Sequence, residues 1–135
     1  MRRFCPTAAN PASPKSGADA DYYIPHRLAE GYGINIPAIE KISAEGTELI
    51  ITVDNGTAAA SETAYGLSLG LDFVVTDHHE CRDSNGNNYS LPNCPVVNPK
   101  RSDSEYPFRD LAGVGVAYKL ICALTGKKTE PDYLG

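Results

Sequence analysis

Two short apolar, β-branched runs organise the middle of the chain. Leu49–Val53 (LIITV) stops at the polar Asp54, and Asp72–Thr76 (DFVVT) stops at Asp77-His78-His79. Each has the length and residue choice of a buried strand. Between them, Thr57 to Leu69 carries Ala58, Ala59, Ala60, Glu62, Ala64 and Leu67, a helix-favouring composition with Thr57 or Asn55 available as N-cap. Strand, helix and strand over about 30 residues predict a βαβ unit with parallel strands and a right-handed crossover. Both polar strand ends then fall on the same edge of a sheet. Neighbouring strands lie about 4.8 Å apart, so a carboxylate at one end and an imidazole at the next can meet on one cation. The carboxyl ends of parallel strands are also where open α/β sheets hold their ligands.

The flanking pattern extends this architecture. Asn35-Ile36-Pro37 predicts a helix start with an N-cap and an early proline, with Ile36, Ile39 and Ile42 on one face and Gly46 at the stop. Gly17–Asp21 reads as the turn and strand start that lead into YYIP, Tyr22–Pro25. Arg82 to Asn93 is a run of turn formers, Val96-Val97 a further short strand, and Leu111 to Leu124 a helix with Val114, Ala117, Leu120, Ile121 and Leu124 at helical spacing. Gly113 and Gly115 lack the third glycine and the preceding apolar strand of a dinucleotide loop, and are read as close-packing or phosphate-approach positions. Met1 to Ser16, with Pro6, Pro11 and Pro14, cannot sustain a helix and is expected to be a disordered start. The expected fold is thus α/β, a parallel sheet flanked by helices over residues 17–135.

Composition narrows the function. The 135 residues suffice for one core, 41% apolar content is ordinary, and no stretch approaches a membrane span. A net charge of -5 excludes a broadly basic nucleic-acid face, so any contact with DNA must rest on metals and a few local cations. Lys100-Arg101 is the densest basic spot near a strand end, and a solvated loop is the favoured reading of it. Cys5, Cys81, Cys94 and Cys122 show no CxxC spacing, so reduced thiols in a cytoplasmic protein are expected rather than a zinc site.

Each candidate site residue has an ordinary reading beside the chemical one. Asp54-Asn55-Gly56 is a strong hairpin signal, yet the residues after it favour a helix rather than the strand a hairpin requires. His78-His79 could be a solvated pair in a turn, but the chain has three histidines and two stand here, directly after an acid. If strand geometry persists through the triplet, Asp77 and His79 should diverge from His78, giving the two imidazoles different tasks.

VDNG (Val53–Gly56) followed by TDHHE (Thr76–Glu80) resembles the DHH phosphoesterases. YYIPHRLAEGYGIN (Tyr22–Asn35) and CPVVNPKRSDSEYPFRDLAGVGVAYKL (Cys94–Leu120) are similar to segments of the RecJ-type members of that superfamily, exonucleases that degrade single-stranded DNA from its 5′ end in repair and recombination. The resemblance runs from about Gly17 to Gly135. It implies that Asp54 bridges two divalent ions, Mn²⁺ or Mg²⁺, that His78 ligates one of them, and that His79 approaches the scissile phosphate. It further implies that Asp77 orients the imidazoles and that Arg27 holds the 5′-terminal phosphate; outside the resemblance, Arg27 reads as a surface arginine. The family's first motif, HxDxDG, is missing upstream of Tyr22, and the chain stops short of the fourth. The expectation is therefore a partial domain, weak or inactive alone as a nuclease. A DHH phosphoesterase acting on short oligonucleotides, cyclic dinucleotides or pyrophosphate, and a non-catalytic binding remnant, stand as alternatives. Nothing in the sequence sets an oligomeric state.

Overall fold

A computed structural model describes residues 3–6, 19–25, 33–82, 86–87 and 90–126. Among the described residues, all strands run parallel in one five-stranded sheet. In chain order the elements are β1 (Arg3–Pro6), β2 (Asp19–Ala20), α1 (Ile36–Ala44), β3 (Leu49–Val53), α2 (Ala60–Ser68), β4 (Asp72–Thr76), β5 (Val96–Val97) and α3 (Gly113–Thr125). The spatial order is β2-β1-β3-β4-β5. The βαβ unit is present with the strand limits that the apolar runs predict.

Alternation explains which side of β3 and β4 is packed. Ile50 pairs with Phe73 and Thr52 with Val75, and all four are buried. Ile39 and Ile42 of α1 close over Ile50, Leu71 and Phe73, with Tyr23, Ile34, Tyr65 and Leu67 around the margin. Each such apolar side chain taken from water contributes about 1.5–3 kcal/mol. Asn35 caps α1 as expected, its Oδ1 accepting the Ala38 N–H at 2.8 Å.

Three expectations are corrected. Arg3–Pro6, inside the segment expected to be disordered, forms a central strand, its residues Phe4, Cys5 and Pro6 in register with Leu49, Ile50 and Ile51. The pairing partner is remote in sequence, so local composition cannot reveal it; the rest of that segment lies outside the described residues. The strand starts within Gly17–Asp21 as expected but ends at Ala20, paired with β1, and Tyr22–Pro25 follows it outside the ladder instead of continuing it. On α3 the buried residues are Gly113 and Val116, whereas Val114 and Leu124, at the expected core spacing, are 72% and 73% exposed. That helix is apolar on several sides, so its periodicity does not choose a face.

Candidate metal centre at the carboxyl rim

The strands end level. Val53 is opposite Thr76, and Thr76 is opposite Val97, so Asp54, Asp77 and Asn98 leave three adjacent strands at the same height. Backbone bonds extend the ladder through this point, with Asp54 N–H donating to Thr76 C=O and Asp77 N–H to Val97 C=O, both at 3.0 Å. Two buried threonines brace the rim: the Thr52 hydroxyl donates to the Asn55 carbonyl at 2.7 Å, and that of Thr76 donates to the Thr52 carbonyl at 2.5 Å.

Asp54 takes a left-handed backbone, φ +63°, the one non-glycine residue with positive φ among those described. Aspartate tolerates this region better than most residues, and sparsely populated conformations gather at functional sites. The turn leads into α2, not into a hairpin. Gly113, at the start of α3, faces Asp54 so closely that a Cβ there would sit 2.6 Å from Asp54 Oδ1. The close packing expected of the glycine pair divides: Gly113 meets the site carboxylate, and Gly115 packs against the Leu111 side chain.

Asp54 Oδ1 lies 2.8 Å from His78 Nε2, as the parallel register requires. His79 joins them: one donor atom from each of the three residues falls within 4.8 Å of the others. The expected divergence of the imidazoles is not observed. Their ring centroids are 4.8 Å apart, because β4 ends at Thr76 and the alternation stops with it. Asp77 causes the change. Its buried carboxylate accepts the amides of His78 at 2.8 Å and His79 at 3.3 Å, which curls the backbone around it. The same Oδ1 lies 2.6 Å from His79 Nδ1, and Oδ2 accepts the Thr57 N–H at 3.0 Å. Asp77 thus orients one imidazole directly, that of His79, while the ring of His78 is held by Asp54.

Burial alone would raise the Asp77 pKa. The hydrogen bonds from Thr57, His79 and His78 outweigh that effect and hold it below the usual carboxylate value. With its Nδ1 turned to Asp77, His79 presents Nε2 outward, the arrangement that ligating imidazoles commonly show. Glu80, next in the chain, is held below its ordinary pKa by Lys100, whose ammonium lies 3.0 Å away. Burial raises the Cys81 thiol, keeping it neutral and inert.

Two features escaped the sequence reading. Thr57 is not the N-cap of α2, which begins at Ala60 behind Ala59; its amide is committed to Asp77 instead. Asn98 is a buried organiser of the rim. Its amide donates to Thr57 Oγ1 and to the His79 carbonyl, both at 2.9 Å, and its Oδ1 accepts the Lys100 N–H at 2.9 Å. The available signal was its position, a polar residue immediately after an apolar strand, like Asp54 and Asp77. Arg27 lies outside the described residues.

One carboxylate and two imidazoles fit a divalent cation. The Asp54–His78 contact, at 2.8 Å, is one that an ion could replace, and Asp77 already fixes the tautomer of His79. Mn²⁺ and Mg²⁺ favour six mostly oxygen ligands, so these three donors would supply part of a coordination shell.

Known proteins are similar to this chain. The family described as "DHH family, N-terminal domain" matches residues 2–135. The single-stranded-DNA-specific exonuclease RecJ of Bacillus subtilis is 47% identical over 121 residues, covering 89% of this chain and 14% of that protein. RecJ of Escherichia coli is 38% identical over 108 residues, 79% of this chain and 18% of its own length. The chain therefore spans less than a fifth of these curated relatives. Among solved structures, exonuclease RecJ bound to manganese superposes with a TM-score of 0.67 at 33% identity, over 87% of this chain and 28% of the other. RecJ in complex with Mn²⁺ from Thermus thermophilus gives 0.60 at 28% identity, over 87% and 15%.

Proposed function

The chain belongs to the DHH family, and on that premise we propose that its rim of Asp54, His78 and His79 is part of a two-metal centre for phosphodiester hydrolysis. The substrate we assign is single-stranded DNA attacked from its 5′ end, as in repair and recombination, and the setting is the cytoplasm. No described helix is long and apolar enough to cross a membrane. The observation that carries the reading is the convergence of Asp54 Oδ1 and His78 Nε2 to 2.8 Å at the end of a parallel pair, in a chain whose solved relatives hold manganese.

Bound divalent ions would activate water and offset charge on the phosphate. The chain's own residues prepare that step. Asp54, on its strained turn, presents a carboxylate that is 59% exposed, open to both an ion and a substrate. His78 is pinned against it. His79 is locked by Asp77 through Nδ1, which leaves Nε2 for ligation or, in the imidazolium form, for a hydrogen bond to a phosphate oxygen. Asn98 and Thr57 keep Asp77 in place. Arg27 is assigned to the 5′-terminal phosphate, a task suited to a planar two-pronged donor.

The test is calorimetric titration of Mn²⁺ into the purified chain, with mononucleotide release from 5′-phosphorylated single-stranded DNA, duplex DNA and a cyclic dinucleotide measured in parallel. Expected are Mn²⁺ binding that Asp54→Asn and His78→Ala each weaken by about tenfold or more, at least the loss that removing a ligand's supporting partner brings, and nucleotide release that is weak or absent and, where seen, confined to the single strand. Mn²⁺ affinity indifferent to both substitutions would overturn the metal assignment; release from the cyclic dinucleotide alone would reassign the substrate.

A further inference from the structure

Beside the DHH triplet lies a second cavity, of about 220 Å³, that the reaction above does not use. Its lining is Glu80, Cys81, Arg82, Lys100, Ser102 and Arg109. In a chain of net charge -5, three cations here face a single carboxylate. The cavity is smaller than the roughly 300–1,000 Å³ of pockets for drug-sized ligands, so it suits one compact anionic group better than a base with its sugar.

Its walls are tied to the metal rim. Glu80 follows His79 directly, and Asn98 joins the His79 carbonyl to the Lys100 amide. Arg109 is anchored from behind, its Nη2 donating to the Lys100 carbonyl at 2.8 Å. Arg101, the other half of the basic pair legible in sequence, is spent elsewhere: it forks onto Asp103 at 2.8 and 2.6 Å and donates to the Val96 carbonyl. Lys100 is the member of that pair that lines the cavity, held at 3.0 Å by Glu80, whose own side chain is 67% exposed and free to swing away.

Resting on the nuclease reading, we infer that this cavity is an oxyanion subsite that takes a phosphate group of the nucleotide chain adjacent to the one at the metal rim, bound by Arg82, Lys100 and Arg109 with the Ser102 hydroxyl. Glu80 is the resident anion that the phosphate replaces on Lys100. The cations act as a point charge and planar forks, the two modes by which proteins hold phosphate.

Fluorescence anisotropy of a 5′-phosphorylated oligothymidylate against the full chain tests this, in EDTA and in Mn²⁺, over a series of salt concentrations. Arg82→Gln and Lys100→Gln should each weaken binding several-fold and lower the log–log salt slope by about 0.7, the value for one phosphate contact on a single strand. Arg82→Lys should restore the slope. Glu80→Gln should tighten binding, an effect no purely structural role would give. Thermal melts and Mn²⁺ titration of each variant should match the parent.

Unchanged affinity and slope in folded variants, or weaker binding by Glu80→Gln, would overturn the subsite. Inorganic phosphate is the second probe: equal losses for phosphate and oligonucleotide would move the assignment to free phosphate. The EDTA arm separates this from the metal assignment, since it reads the cations alone. Should Asp54→Asn leave Mn²⁺ affinity untouched, the metal reading fails while the salt slope still reports on Arg82 and Lys100.

Discussion

Replacing Asp77 by Asn tests the organisation of the rim most directly, because it keeps the shape and removes the charge. The carboxylate accepts from Thr57 N–H on one oxygen and from His78 N–H, His79 N–H and His79 Nδ1 on the other. An amide must turn its NH₂ toward one of these sets of donors, so at least one buried N–H loses its acceptor. An unsatisfied buried donor costs about 1–3 kcal/mol, and the surviving bonds lose the charge that roughly doubles their strength, giving a total of about 2–4 kcal/mol. Urea unfolding at about pH 7 and again at about pH 3 measures both the loss and its origin. The sign follows from the depressed pKa. The stability owed to the Asp77 carboxylate is complete above its ordinary value near 3.8 and drains away as pH falls through the lower folded value. The parent should therefore lose stability in strong acid more steeply than Asp77→Asn does. A variant within about 0.5 kcal/mol of the parent at neutral pH, the range of an inconsequential surface change, would refute the reasoning.

Three further outcomes follow from the same geometry. Asn98→Ala removes a buried amide that serves two acceptors and one donor; urea unfolding should register about 2–4 kcal/mol, most of it from groups left unpaired. Gly113→Ala would push a methyl group into the Asp54 carboxylate; thermal melting should change by no more than about 1 kcal/mol, since alanine favours the helix, while calorimetry shows weakened Mn²⁺ binding. Phe73→Ala empties the centre of the packed face, and a loss of about 3–5 kcal/mol, read by urea unfolding or by failure to fold at all, is expected.

The sequence was legible where structure is local or where register does the work. LIITV and DFVVT marked β3 and β4 to the residue, and their parallel pairing was enough to bring Asp54 to His78. The orientation of His79 was not legible, because it depends on Asp77 gathering two following amides, a turn that ends the alternation on which the expectation was built. Thr57 was misread for a related reason: a threonine before a helix is an ordinary cap, and only the fold brings it beneath Asp77, twenty positions away. Asn98 had no reading of its own, because its role appears only once β5 is set beside β4. The strand at Arg3–Pro6 has no pattern of its own, and its place between β2 and β3 is given by pairing with both.

Donors that leave neighbouring strands at equal height make any ion they share a rivet as well as a reagent. Binding that requires β3 and β4 to be aligned resists their separation, by about 2.7 kcal/mol when the ion stands at a hundred times its dissociation constant. Loading the site would then slow hydrogen exchange along both strands, so that the chemistry at the margin fastens the layer that bears it.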